Sequence, residues 1–125
     1  PDGRFGFLAS LPRVSLEISA KRGLIEGRPG VRVRLKNSGK SPAFFVHLRI
    51  LSGGREILPS FWSDDFLTLL PGESRDVTWR SLEETPAQGP LRIEVDGWNV
   101  PAQAPIRLGG YSLIPIPNVI PLGLM

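Results

Sequence analysis

Glycine and proline recur so often along this chain that few uninterrupted stretches remain in which a long helix could form. Fourteen glycines and thirteen prolines are spread over 125 residues. Proline removes a backbone donor and glycine weakens helix interiors, so runs bounded this closely favour short strands joined by turns. The runs themselves carry the period of a strand. Val31, Val33 and Leu35 alternate with Arg32, Arg34 and Lys36, which puts apolar side chains on one face and cations on the other.

The same alternation appears in Val14, Leu16, Ile18 and Ala20. It is followed by a turn-rich stretch through Gly23, Gly27, Pro29 and Gly30. Asn37-Ser38-Gly39 marks a tight turn after the Val31 run. In the next run, Ala43 to Leu51, Phe44, Val46, Leu48 and Ile50 form one face and Phe45, His47 and Arg49 the other. Shorter strand candidates cover Arg55 to Leu58, Phe66 to Leu70 and Ser74 to Ser81, the last with Val77 and Trp79 on its core side. Leu91, Ile93 and Val95 alternate with Arg92, Glu94 and Asp96. Leu82 to Gln88 is the one place where a single helical turn fits, and Pro86 limits it.

About seven short strands with turns every 8–12 residues predict an all-β, immunoglobulin-like antiparallel sandwich. The domain reading is an arm or linker over 1–13, the sandwich over 14–99, and an apolar, Pro-rich tail over 100–125 that packs along a surface. The tail holds five prolines but also Ile114, Ile116, Val119, Ile120, Leu122 and Leu124, too apolar for a solvated linker. It offers at most a weak edge strand. The chain opens on Pro1 with no initiator methionine and no signal pattern, which reads as a fragment boundary.

Composition narrows the chemistry. There is no cysteine, which removes disulfides, thiol catalysis and thiolate metal sites and leaves the compartment open. The net charge of +3 and pI near 10.0 come from basic residues that are dispersed, so no nucleic-acid footprint is expected. No apolar run of about 18 residues is present, so no membrane-spanning helix is expected.

His47 is the single histidine, set mid-strand without a visible orienting partner, and reads as structural rather than as a catalytic base. Asp64-Asp65 and Glu83-Glu84 are adjacent acids in loops. A glycosidase needs two carboxylates across a substrate, with one in an apolar setting, and neither pair suggests that. No calcium-loop pattern or phosphate-binding glycine motif occurs, and Gly109-Gly110 lacks the following helix of an anion site. No catalytic residue, metal or cofactor is therefore expected.

The aromatic residues stand out instead. Phe61, Trp62 and Phe66 cluster around Asp64 and Asp65, and Trp98 lies further on. These six form a candidate interdomain or glycan contact, because exposed aromatics anchor interfaces and stack on sugar rings. Trp79 is expected in the core, and for Trp62 and Trp98 a core or interface role is preferred to a sugar platform.

Four segments, in this order, resemble the C-terminal immunoglobulin-like domain of glycoside hydrolase family 2, of the exo-β-D-glucosaminidase and β-mannosidase type. They are Asn37-Ser38-Gly39-Lys40-Ser41-Pro42-Ala43-Phe44-Phe45-Val46, Phe61-Trp62-Ser63-Asp64-Asp65-Phe66, Leu69-Leu70-Pro71-Gly72-Glu73-Ser74 and Gly97-Trp98-Asn99. Asp65 departs from the family's usual Asn, exchanging an amide donor for an acceptor-only carboxylate. The resemblance implies a non-catalytic module, since in that family both catalytic glutamates belong to a (β/α)8 barrel. It also implies that the partners are the other domains of a parent hydrolase acting on β-linked glycans. The alternatives are a carbohydrate-binding module, with a polysaccharide contact, and a general protein–protein interaction sandwich. The positive net charge argues against direct affinity for a cationic polymer such as chitosan.

Overall fold

A computed structural model describes residues 11–58, 60–81, 89–109 and 114–116. Among them lie eight strands and no helix: β1 (Leu16–Ile25), β2 (Arg28–Asn37), β3 (Ala43–Ser52), β4 (Arg55–Glu56), β5 (Leu67–Leu69), β6 (Ser74–Arg80), β7 (Leu91–Asp96) and β8 (Ile106–Leu108). One sheet runs β1-β2-β6. The other runs β4-β3-β7-β8, with β5 also paired to β3. All named strand pairs are antiparallel, and the architecture is the immunoglobulin-like all-β sandwich. The expected arm before residue 11 and the possible turn at 82–88, with Glu83 and Glu84, lie outside the described residues.

The core follows from the alternation. Val31, Val33 and Leu35 of β2, with Val77 and Trp79 of β6, meet Val46, Leu48 and Ile50 of β3 and Ile93 and Val95 of β7. Each such side chain contributes roughly 1.5–3 kcal/mol by leaving water. Trp79 is buried as expected.

The glycine-rich stretch after Ala20 behaves differently from its reading as turns. β1 and β2 run through Gly23 and Gly30, which pair with each other. The reversal is confined to Glu26 and Gly27, both at positive φ (51° and 78°), as a two-residue hairpin turn requires. The two paired glycines are needed for close approach. A Cβ on Gly30 would lie 2.3 Å from the Trp79 carbonyl oxygen, and one on Gly23 would lie 2.3 Å from that of Ile114.

A second departure is in β3. Ala43 and Val46 both face inward, because the register shifts between them. Phe45 sits at φ 54° within this irregularity and turns outward. Phe44, expected on the core face, is only half-buried, and Ala43 takes the inward place.

Within the segment read as tail, Ile106–Leu108 pairs with β7 as β8, and the backbone of 114–116 borders β1. Leu24 N donates to Ile114 O at 3.0 Å, and Ile116 N donates to Leu24 O at 3.0 Å. The Gln103 amide completes this edge at Leu16, accepting from its N–H and donating to its carbonyl, both at 2.9 Å. Partners of this kind occupy groups that an edge strand would otherwise offer to another chain.

Candidate functional site

The motif-bearing segments converge on two buried asparagines. Asn37, at the end of β2, is fully buried. Its Nδ2 donates to Ser41 O at 2.8 Å and to Leu69 O at 3.0 Å, while its Oδ1 accepts from Gly39 N at 2.9 Å. Its backbone meets the Leu70–Glu73 turn, accepting from Gly72 N at 2.7 Å and donating to Glu73 O at 3.0 Å. Pro71 pre-sets that turn and Gly72, at φ 82°, completes it.

Asn99 does the same work on the other side. Its Oδ1 accepts from Phe44 N at 2.9 Å, and its Nδ2 donates to Pro12 O at 3.0 Å and Pro42 O at 2.8 Å. Buried amides satisfied in this way fix loops because a lost partner leaves a desolvated group unpaired.

Asn99 thereby positions its neighbour Trp98, whose N–H donates to Phe44 O at 2.9 Å. Trp98 is 53% exposed and meets Phe45, itself 46% exposed, edge-to-face, with ring centroids 6.4 Å apart and planes at 75°. This contact begins a ladder on the outer face of β3 and β7. His47 is opposite Asp96 in register, and Arg49 is opposite Glu94. Arg49 reaches Glu94 at 3.5 Å and Asp96 at 3.3 Å. On the other flank of His47, its Nδ1 meets Asp65 Oδ1 at 2.8 Å and its ring stacks on Phe66, with centroids 4.7 Å apart and planes 10° from parallel. Asp65 Oδ1 also accepts from Phe66 N at 3.0 Å. The Asp65 carboxylate therefore has two donors.

The six residues named from the sequence are thus divided. Asp65, Phe66 and Trp98 belong to this outer face. Trp62 bridges to Trp79 and packs against the core, and its Nε1 is buried without a partner among the described residues. Ser63 beside it caps the β6 edge, donating from N to Thr78 O at 2.8 Å and accepting from Thr78 N at Oγ, 2.9 Å. Phe61 is exposed on the same crossing loop, as are Leu58 and Asp64. Phe45, His47 and Asp96 complete the face and were not among the six. The signal for them is the outward alternation Phe45, His47, Arg49 set antiparallel to Trp98, Asp96, Glu94, which becomes visible only once the two strands are paired.

Charge separates the two outer faces. On β1-β2-β6 the register places Lys21, Arg32, Arg34 and Lys36 together with only Glu17 and Asp76. At the aromatic end of the other sheet, Asp65 meets His47, Glu94 and Asp96 meet Arg49, and Glu94 also meets Arg92 at 3.5 Å. Among the described residues, no group of three or more His, Cys, Asp or Glu could hold a metal ion, and no helix is long and apolar enough to cross a membrane.

Two antiparallel sheets with asparagine-pinned loops and an exposed aromatic end define an immunoglobulin-like domain. Residues 2–100 match the family described as the exo-beta-D-glucosaminidase Ig-fold domain, and the chain belongs to that family, a domain of glycoside hydrolase family 2. It is 36% identical over 104 residues to an exo-beta-D-glucosaminidase of Streptomyces avermitilis, covering 77% of this chain and 11% of that one. With the exo-beta-D-glucosaminidase of Arthroderma benhamiae it shares 39% over 80 residues, 61% of this chain and 8% of the other. The crystal structure of the exo-chitosanase CsxA of Amycolatopsis orientalis superposes with a TM-score of 0.64 at 27% identity, over 82% of this chain and 12% of that one. The chain spans about a tenth of the length of the curated relatives it matches.

Proposed function

We propose that this domain is a non-catalytic accessory module of a glycoside hydrolase resembling exo-β-D-glucosaminidase, working through contact with the other domains of its parent. The observation that carries this reading is the match of residues 2–100 to an Ig-fold domain that accounts for about a tenth of each relative's length. The commitments of the acids support it. Asp65 is held by His47, Asp76 by Arg34, and Glu73 by Arg75. Asp64 and Asp65 are exposed neighbours, whereas a glycosidase general acid sits in an apolar setting. Leu58 and Phe61, exposed on the loop that crosses the β6 edge, are the surface offered to a neighbouring domain.

The purified domain should release no p-nitrophenol from β-D-glucosaminide or β-D-mannoside substrates above the uncatalysed background. Turnover that persists through purification to homogeneity overturns the reading.

A further inference from the structure

We infer that the outer face formed by Phe45, His47, Asp65, Phe66, Asp96 and Trp98 is a binding site for a β-linked glycan carrying protonated amino groups. This deepens the accessory reading and rests on it for the class of polymer.

Two aromatic surfaces are presented side by side. One is the edge-to-face pair of Trp98 and Phe45, and the other is the Phe66 ring stacked on His47. Phe66 is 59% exposed. Both phenylalanines occupy positive φ (54° and 53°), and the only other described non-glycine residue that does so is Glu26, in the β1–β2 hairpin. Bulky side chains rarely tolerate that conformation. Here the fold keeps two of them in it, and the result is rings displayed to solvent rather than buried. The Asn99 network holds Trp98 and Phe44 in place beforehand, so little ordering remains for a ligand to impose.

Charge selects the ligand. Four of the dispersed cations, Lys21, Arg32, Arg34 and Lys36, share the outer face of β1-β2-β6, the sheet opposite the aromatic residues. The aromatic end carries the opposite sign. Asp65 and Asp96 flank His47, one through a 2.8 Å hydrogen bond and the other across the strand pair. Arg49 is shared between Asp96 and Glu94, and Glu94 also meets Arg92, so three carboxylates face two guanidiniums and the rim stays negative. An aminosugar ring stacks its apolar face on an aromatic side chain while its ammonium meets a carboxylate or the indole face. A neutral sugar would use only the stacking, and a uronic acid would be repelled.

The test is a tryptophan-fluorescence titration of the 125-residue chain with a fully deacetylated glucosamine hexamer and, separately, with its fully N-acetylated counterpart. The glucosamine oligomer should give a saturable change that weakens as ionic strength rises, and the acetylated oligomer should bind about 10-fold more weakly, as expected when an ion pair and a cation–π contact are lost. Trp98→Ala should abolish the response. Phe45→Asn, which suits the left-handed backbone, should weaken binding several-fold with an unchanged melting temperature. Asp96→Asn should do so for the glucosamine oligomer alone.

No saturable change, or equal affinity for the two oligomers, overturns the proposal. So does the finding that Trp98 in an intact parent enzyme is shielded from a soluble quencher in the absence of sugar, which would make this face an interdomain contact. None of these failures touches the non-catalytic reading, which stands or falls on turnover.

Discussion

The Asn37 side chain donates to the backbone carbonyl of Leu69 at 3.0 Å and so ties the last residue of β2, in one sheet, to β5, in the other. The same amide closes the 37–41 turn through Ser41 O and Gly39 N. Asn37→Ala strands these groups in a fully buried position. A loss of roughly 2–4 kcal/mol in urea unfolding is expected, since each unsatisfied buried group costs about 1–3 kcal/mol. Asn37→Asp should be no better at neutral pH, because an ionised carboxylate has no proton to donate to either carbonyl. A loss within about 0.5 kcal/mol, the scale of an inert surface change, would show the network to be dispensable.

Gly30 faces backbone on the neighbouring strand. An added methyl would sit 2.3 Å from Trp79 O and 3.3 Å from Arg80 Cα, neither of which can rotate away. Gly30→Ala should therefore cost more than about 2 kcal/mol by overpacking. Gly89 has nothing within 4 Å of the same atom, and Gly89→Ala should stay within about 0.5 kcal/mol. Paired thermal or urea melts of the two variants decide this.

At Phe45 the usual strand preference should reverse. Valine is the better strand former, but the backbone there is at φ 54°, where asparagine is tolerated and a β-branched residue is strained. Phe45→Val should be less stable than Phe45→Asn by roughly 1 kcal/mol, the scale of left-handed strain. Equal stabilities would mean that the bulge relaxes.

Acid should weaken the fold through two surface carboxylates. The Leu70 N–H, at 2.8 Å, and then Arg75 hold Glu73 below the usual carboxylate range, against some desolvation. The bidentate Arg34 guanidinium, at 2.7 and 3.0 Å, does the same for Asp76. A carboxylate whose folded pKa is depressed contributes stability above its unfolded value, and that contribution disappears as pH falls through the folded one. Stability should then be level from neutrality down to about pH 5 and decline below about pH 4, near the unfolded carboxylate range. Asp76→Asn should reduce the decline, as should high salt, since the pair is exposed. An unchanged acid limb in Asp76→Asn would remove this pair from the account.

Much of the sandwich was legible because a strand with one buried face writes its own period. Val31 to Lys36 and Leu91 to Asp96 alternate residue by residue, and both are strands with those apolar positions buried. The end of β2 at Asn37 and the turn at Pro71-Gly72 were also readable, since they depend on the backbone freedom of a few adjacent residues. The glycines at 23 and 30 misled because their role is close approach to another segment, which looks the same in sequence as a turn. Phe44, expected on the core face and only half-buried, misled for a related reason: a bulge inserts a residue into the alternation without altering composition.

The sequence by itself determined the class of fold, most of the strands and the side chains that fill the core, all of which follow from local periodicity and local backbone preference. Tertiary structure alone decided that Phe45 meets Trp98, that Asp65 meets His47, and that Asp65 and Asp96 flank the aromatic face while Lys21, Arg32, Arg34 and Lys36 share the opposite sheet. Those pairings depend on strand register and on the path of residues 60–66. They join residues far apart in the chain through contacts that leave no periodic mark on either partner.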